Sequence, residues 1–215
     1  MEYKEIKDEL KNIIQGKSQV GSSELIQTIA LYLRRGKETS ALASTKQHSK
    51  KQETEELIKF INTHQLWVCD INFDEFISEG AEQKVFVKDT QKVLKLNDSI
   101  YYEFWEDYLH NLLLNNYFFP ETAYHLIGFY KSTENILYAL VEQKYIKADE
   151  PTDLQDVKNF LANNGFDCYK NNDYYHPELG IILEDLHDEN VLTAGGILYF
   201  IDTVFYIKDS FFSEE

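Results

Sequence analysis

Apolar side chains in the first part of the chain recur at the spacing of α-helices. The pattern predicts a helix over residues 2–15 and a second helix, opened by a serine cap, that ends before Gly36. Residues 34–52 are polar and rich in Lys, Ser, Thr and Gln, which predicts a linker. A third helix is predicted from Gln52 to His64. Residues 1–65 are therefore expected to form an N-terminal helical extension.

From Leu66 onward the apolar residues form short runs separated by turns, a pattern typical of β-strands. Three strands, an aromatic-rich helix, a two-stranded hairpin and another helix are predicted in that order. These elements cover residues 76–88 (two strands), 92–97, 100–116, 124–130, 136–141 and 151–163. Two further short strands, beginning at Gly180 and Leu198, are expected to form a hairpin that carries acidic residues. The predicted fold class is α+β with an antiparallel sheet.

Polar residues follow each of the last two apolar strands. Asp185 and Asn190 lie five positions apart after the first strand, and Asp202 ends the second. Asparagine and aspartate supply the oxygen ligands that Mg²⁺ prefers, so Asn190 and Asp202 are candidate metal ligands. Asp185 is a candidate for orienting an acceptor hydroxyl group and accepting its proton. The alternative is an ordinary hydrophilic hairpin loop.

Lys95 lies within the apolar strand Val93–Leu96, where burial of an ammonium group is costly without an anionic partner. A phosphate group, together with a carboxylate on the next helix, would satisfy that requirement. The helix carries three candidate carboxylates, and the sequence does not choose among them: Glu103, Glu106 and Asp107. The alternative is a lysine that faces outward on an edge strand.

Two further segments are candidates for nucleotide contacts. Gly80, between two predicted strands, would allow the backbone to approach a phosphate group; taken alone, the residue favours the alternative of a plain hairpin turn. The strand Ile136–Val141 runs into Glu142 and Lys144, a segment whose backbone could pair with adenine.

The charge of the chain limits its partners. The formal net charge is −16: residues 1–72 carry a net +1 and residues 73–215 a net −17. This balance argues against binding to nucleic acids or anionic membranes, and it favours a cationic substrate over an anionic one. The chain has no run of 18 apolar residues and only two cysteines, Cys69 and Cys168, so we expect a cytoplasmic protein without a disulfide framework.

Several segments together resemble one known family, the polyvalent protein kinase domain, which is associated with mobile elements and phages of bacteria. The matching segments are Glu79–Phe86, Val93–Ser99, Asn116–Tyr124, Asn172–Gly180, Glu184–Leu192 and Phe200–Thr203. The resemblance implies a kinase-like fold that uses ATP and Mg²⁺. It also implies that Asp185 matches the catalytic aspartate of kinases, Asn190 and Asp202 the metal ligands, and Lys95 the phosphate-binding lysine.

The chain departs from kinases in ways that bear on its substrate. Leu183 and Glu184 precede Asp185 where kinases have His-Arg, and the segment that begins at Asp202 reads Asp-Thr-Val rather than Asp-Phe-Gly. Only 13 residues follow Asp202, so the usual platform for a protein substrate is expected to be absent. The Asp-Leu-His sequence that begins at Asp185 is also similar to phosphotransferases that act on small molecules.

These observations predict a minimal kinase-like domain over residues 66–215, with an N-lobe of about 66–145 and a truncated C-lobe of about 146–215. The expected activity is ATP- and Mg²⁺-dependent phosphoryl transfer to a hydroxyl group of a protein or small molecule. Two alternatives remain open: a pseudokinase or nucleotide-binding interaction module without turnover, and a nucleotidyl transferase.

Overall fold

The computed structural model describes residues 3–43, 49–71, 76–79 and 83–213. The chain starts with three helices, α1 (Tyr3–Ile14), α2 (Glu24–Ala43) and α3 (Lys50–His64). Helix α3 opens with a capping box in which the side chains and backbone amides of Ser49 and Gln52 bond to each other. The structure confirms the three helices that the apolar spacing predicts.

The predicted linker over residues 34–52 is wrong for most of its length. Helix α2 continues through Gly36 to Ala43, and α3 begins at Lys50. A single glycine costs a helix only about 1 kcal/mol, and the Lys, Glu and Ala residues after it favour helix. Gly36 therefore does not end α2.

An antiparallel five-stranded sheet follows, with the strand order β1-β2-β3-β5-β4. Its strands are β1 (Phe76–Glu79), β2 (Gln83–Val87), β3 (Lys92–Asn97), β4 (His125–Lys131) and β5 (Leu137–Lys144). Helix α4 (Trp105–Phe118) connects β3 to β4 and starts five residues later than predicted from Ile100. It begins at Trp105 because Asp107 accepts a hydrogen bond from the backbone N–H of Phe104 and caps the helix there.

The C-terminal part contains helix α5 (Leu154–Asn163) and more strands than the sequence predicted. A four-stranded antiparallel sheet has the order β11-β8-β7-β6, and β9 and β10 form a separate hairpin. The strands are β6 (Asp167–Lys170), β7 (Asp173–His176), β8 (Ile181–Glu184), β9 (Val191–Ala194), β10 (Ile197–Phe200) and β11 (Val204–Ile207). The short helix α6 (Asp209–Phe212) follows β11.

The predicted hairpin between the strands at Gly180 and Leu198 is wrong. Strand β8 pairs with β7 and β11, whereas β10 pairs with β9. The reason is the turn at Gly195 and Gly196, whose positive φ angles of 59° and 72° suit a two-residue hairpin. Asp202 lies two residues after the end of β10 and two before the start of β11, close to the predicted end of that strand.

Helix α4 is the centre of the molecule because its side chains are buried on every face. It packs against α1, α2, α3 and β11. Helix α1 joins the two main hydrophobic cores: Ile13 belongs to the core around α4 and the first sheet, whereas Leu10 and Ile14 belong to the core of the C-terminal part. Among the described helices, none is long and apolar enough to span a bilayer.

The backbone N–H groups at the start of α4 are satisfied from another helix. Glu53 of α3 is 1% exposed, and its carboxylate accepts hydrogen bonds from the backbone N–H groups of Trp105 and Glu106. Burial raises the pKa of Glu53 to about 7, although the two backbone hydrogen bonds oppose the shift. Glu53 therefore holds a proton in the folded chain at pH values where it is ionised in the unfolded chain.

This raised pKa links stability to pH. Protein folding should become less favourable as the pH rises from about 4.5 to about 7, because the folded state binds the Glu53 proton more tightly. We expect the free energy of unfolding of the wild type, minus that of Glu53→Gln, to rise by about 2–3 kcal/mol between pH 8 and pH 5 in urea titrations.

The difference between variants is needed because buried His110, whose pKa is lowered to about 3, acts in the opposite direction below pH 6.5. Glu55→Gln, at an exposed position of the same helix, is the matched control and should show no such rise. A flat difference for Glu53→Gln would contradict the assignment.

The course of α2 can be tested at Gly36. A Cβ atom added there would have Glu56 Cγ as its nearest neighbour, at 4.0 Å, so Ala fits. Gly36→Ala should raise the free energy of unfolding by about 0.5–1 kcal/mol, and Gly36→Pro should lower it by about 3 kcal/mol. Equal urea midpoints for the two variants would indicate a linker.

Candidate active site

A cavity of about 710 Å³ lies between the first sheet and the C-terminal strands. Strands β1, β2 and β3 form one wall, and the loops after β8 and β10 form the other. Its apolar lining includes Ile77, Val85, Val93, Ile146, Leu192 and Ile201. Four residues singled out in the sequence, Lys95, Asp185, Asn190 and Asp202, line this one cavity. Its volume is in the range of small-molecule sites in proteins.

Lys95 is buried on a central strand. Strand β3 lies between β2 and β5, so the alternative of a lysine on an edge strand is wrong. The side chain is 4% exposed, and its ammonium donates to the carbonyl oxygen of Ile201 at 2.8 Å and lies 3.7 Å from Oδ1 of Asp202. Burial lowers the pKa of Lys95, and the Asp202 carboxylate opposes this shift. The lysine is thus a desolvated cation held close to an acid.

The predicted pairing of Lys95 with a carboxylate of the next helix is wrong in the described part of the chain. Glu106 instead accepts a hydrogen bond from Nε of Arg34, on α2, at 2.8 Å. Asp107 caps α4, and Glu103 is exposed. Because α4 begins only at Trp105, Glu106 falls in its first turn, where it faces α2 rather than the cavity.

The loop after β8 is held by contacts among its own residues. Asp185 adopts a left-handed conformation with φ 65°, which aspartate tolerates better than most residues. Asn190 Nδ2 donates to the carbonyl oxygen and to Oδ2 of Asp185, both at 2.9 Å. His187 Nε2 lies 3.2 Å from Oδ1 of Asp185, so His187 also braces the loop. Buried Leu186 anchors this loop, while the Asp185 side chain stays 58% exposed at the cavity.

Asp202 is held by two residues that the sequence analysis did not identify. Gln83 Nε2, at the start of β2, donates to Oδ2 at 2.8 Å. The Tyr124 hydroxyl lies 3.4 Å from Oδ1, and it donates to the Ile201 carbonyl oxygen at 2.9 Å. Both residues occur in the segments that carry the family resemblance, yet neither residue type by itself signals such a contact.

The nucleotide-contact segments have different outcomes. Gly80 lies outside the described residues. Glu142 does not line the main cavity: its carboxylate binds Lys88 and Lys92, and it faces a second cavity of about 560 Å³. Its neighbour Gln143 lines both the main cavity and the second cavity. Lys144 lines both cavities.

The oxygen atoms of Asn190 and Asp202 form a donor set suited to a hard cation that also binds phosphate or water. No group of three His, Cys, Asp or Glu residues that could hold a metal occurs within the ranges described. One carboxylate and one amide fit Mg²⁺, which commonly binds through one or two side chains and completes its shell with phosphate and water.

Comparison with known proteins gives one finding. A sequence model of the family described as serine/threonine/tyrosine kinases found in polyvalent proteins matches residues 50–209. The match begins at the first residue of α3 and includes all the cavity residues named above. Searches of curated proteins and of solved structures found no match.

The burial of Lys95 should cost stability. Lys95→Met removes a desolvated charge, and it leaves no buried charge unpaired because the Asp202 side chain is 36% exposed and keeps its hydrogen bond from Gln83. We expect Lys95→Met to leave the free energy of unfolding unchanged or to raise it by about 1 kcal/mol in urea titrations.

The control is Lys144→Met, at the rim of the same cavity, where the side chain is 50% exposed and a change within about 0.5 kcal/mol is expected. A loss of more than about 2 kcal/mol for Lys95→Met would mean that the ammonium stabilises the fold.

Proposed function

Because the chain belongs to the family of serine/threonine/tyrosine kinases found in polyvalent proteins, we propose that it transfers the γ-phosphoryl group of ATP to a hydroxyl group. The observation that carries this proposal is the presence of Lys95, Asp185, Asn190 and Asp202 around one cavity. These residues come from β3 and from the loops after β8 and β10, so folding brings together groups that are up to 107 positions apart in the sequence.

Each residue has a proposed role in this reaction. Lys95 binds phosphate oxygens, and its desolvation strengthens that interaction. Asn190 and Asp202 hold Mg²⁺, which supplies neutralisation of the phosphate charge when bound. Apolar side chains such as Val85, Val93 and Leu192 suit the adenine ring. Gly80 stays a proposed phosphate contact.

Asp185 is proposed to orient the acceptor. Its exposed carboxylate can accept a hydrogen bond from the acceptor hydroxyl and align the oxygen for attack on the γ-phosphorus. The new bond joins that oxygen to phosphorus, the bond to the β–γ bridging oxygen breaks, and ADP leaves. The hydroxyl proton passes to Asp185. The acidic surface favours a cationic acceptor, either a protein or a small molecule.

The proposal includes the architecture. The first sheet with α4 corresponds to an N-lobe, of about residues 66–145, and the remainder corresponds to a reduced C-lobe. The family match starts at residue 50, which favours including α3 in the domain.

One observation favours a second candidate, nucleotide binding without turnover. Lys95 and Asp202 already contact each other at 3.7 Å, and Asp202 also accepts from Gln83. A metal ion would have to displace these contacts to reach Asp202. A nucleotide that binds in the cavity without displacing them would not be arranged for turnover.

A single set of variants tests both candidates. Purified protein is incubated with γ-labelled ATP, Mg²⁺ and lysate, and thermal shifts are recorded with ATP and Mg²⁺. We expect Asp185→Asn and Asp202→Asn to lose phosphoryl transfer by about a hundredfold or more. Asp188→Asn is the matched control because this exposed residue of the same loop does not line the cavity.

The outcomes separate the candidates. Stabilisation by ATP without label transfer supports binding without turnover, and the absence of any thermal shift contradicts both. Transfer of label from α-labelled ATP instead would indicate nucleotidyl transfer. Equal γ-label transfer in Asp185→Asn and Asp188→Asn would contradict the role given to Asp185.

A further inference from the structure

The buried ammonium of Lys95 lacks the helix carboxylate that was expected, and a tyrosine takes its place. Tyr124 lies between α4 and β4, and it is 4% exposed. Resting on the proposed function, we infer that Tyr124 is the positioning residue that sets Lys95 and Asp202 for the metal–nucleotide complex.

The hydroxyl group of Tyr124 shares a hydrogen-bond acceptor with Lys95 and lies beside the carboxylate of Asp202. It donates to the carbonyl oxygen of Ile201 at 2.9 Å, and Lys95 donates to the same oxygen at 2.8 Å. A carbonyl oxygen has two lone pairs, so the two donors satisfy it completely. The hydroxyl oxygen is also 3.4 Å from Oδ1 of Asp202. One phenol thereby fixes the backbone just before Asp202 and borders its carboxylate.

The ring of Tyr124 contacts the lysine as well. Lys95 Nζ lies 5.4 Å from the ring centroid, within the range of a cation–π interaction. Such an interaction stabilises a desolvated ammonium without neutralising it. The ring thus supports the ammonium without adding a second carboxylate to the one that Asp202 already supplies.

Tyr124 is itself fixed to α4 through its backbone. Its N–H donates to Oδ1 of Asn116 at 2.6 Å, and Nδ2 of Asn116 donates to its carbonyl oxygen at 2.8 Å. Nδ2 of Asn116 also donates to Oγ of Ser23, next to the start of α2, at 2.8 Å. Contacts with α4 and with the start of α2 therefore fix the position of the phenol. Helix α4 is connected to Lys95 through Tyr124 rather than through an ion pair.

The test separates the hydroxyl from the ring. Tyr124→Phe removes only the hydroxyl, whereas Tyr124→Leu also removes the ring face beside Lys95. The control is Tyr174→Phe, at a tyrosine of β7 that is 3% exposed and lies in the hydrophobic core of the C-terminal part. Calorimetry measures the affinity for the non-hydrolysable analogue adenosine 5′-(β,γ-imido)triphosphate with and without Mg²⁺, and thermal unfolding checks that each variant is folded.

We expect Tyr124→Phe to reduce the Mg²⁺-dependent gain in affinity by about tenfold, the scale of one hydrogen bond near a charged group, and to change metal-free affinity less than about twofold. Tyr124→Leu should also weaken metal-free binding, because Lys95 loses its ring contact. Tyr174→Phe should bind like the wild type.

Each other outcome has a distinct meaning. Mg²⁺-dependent binding that is equal in the wild type and Tyr124→Phe would overturn the positioning role and leave the proposed function standing. Equal losses in Tyr124→Phe and Tyr174→Phe would indicate a structural effect and would also overturn it. A wild-type protein that binds no nucleotide would overturn the proposed function and this inference with it.

Discussion

The arrangement of the candidate site depends on the burial of one ammonium group in the middle of a sheet. Lys95 cannot reach water from β3, so the chain must bring polar partners to it. Ile201 and Asp202 do so from between β10 and β11, more than 100 positions later in the sequence. These contacts link the first sheet to the loop between β10 and β11, and all three residues line the cavity. The cost of burial is compensated by contacts that also shape the site.

Helix α4 imposes a second constraint because it is buried on every face. Polar groups on such a helix must find partners on neighbouring elements. Glu53 of α3 caps its start, Arg34 of α2 binds Glu106, and Asn111 accepts a hydrogen bond from the backbone N–H of Phe205 in β11. The helices before the sheet therefore contribute directly to the environment of α4, and α4 in turn positions the strand beyond Asp202.

Much of the fold could be predicted because its apolar spacing is local. The helices α1 and α3, the first sheet and α5 follow directly from that spacing, and the grouping of Asp185, Asn190 and Asp202 around one cavity follows from their positions at strand ends. Three features could not be predicted from residue patterns. The partner of Lys95 depends on tertiary distance, strands β6 and β7 are short and polar, and the pairing of β8 with β11 joins distant segments. By contrast, the adjacent glycines Gly195 and Gly196 do predict the turn of the β9–β10 hairpin.

Helix α1 lies outside the family match but contributes to the hydrophobic cores of the folded protein. The match starts at residue 50, yet Leu10, Ile13 and Ile14 fill gaps in both hydrophobic cores. A fragment cut at the family boundary would open two apolar faces on one molecule, and such faces promote self-association. Residues that sequence comparison places outside the domain thus belong to its interior. Because α1 contributes side chains to both cores, we expect the two parts of the protein to unfold together.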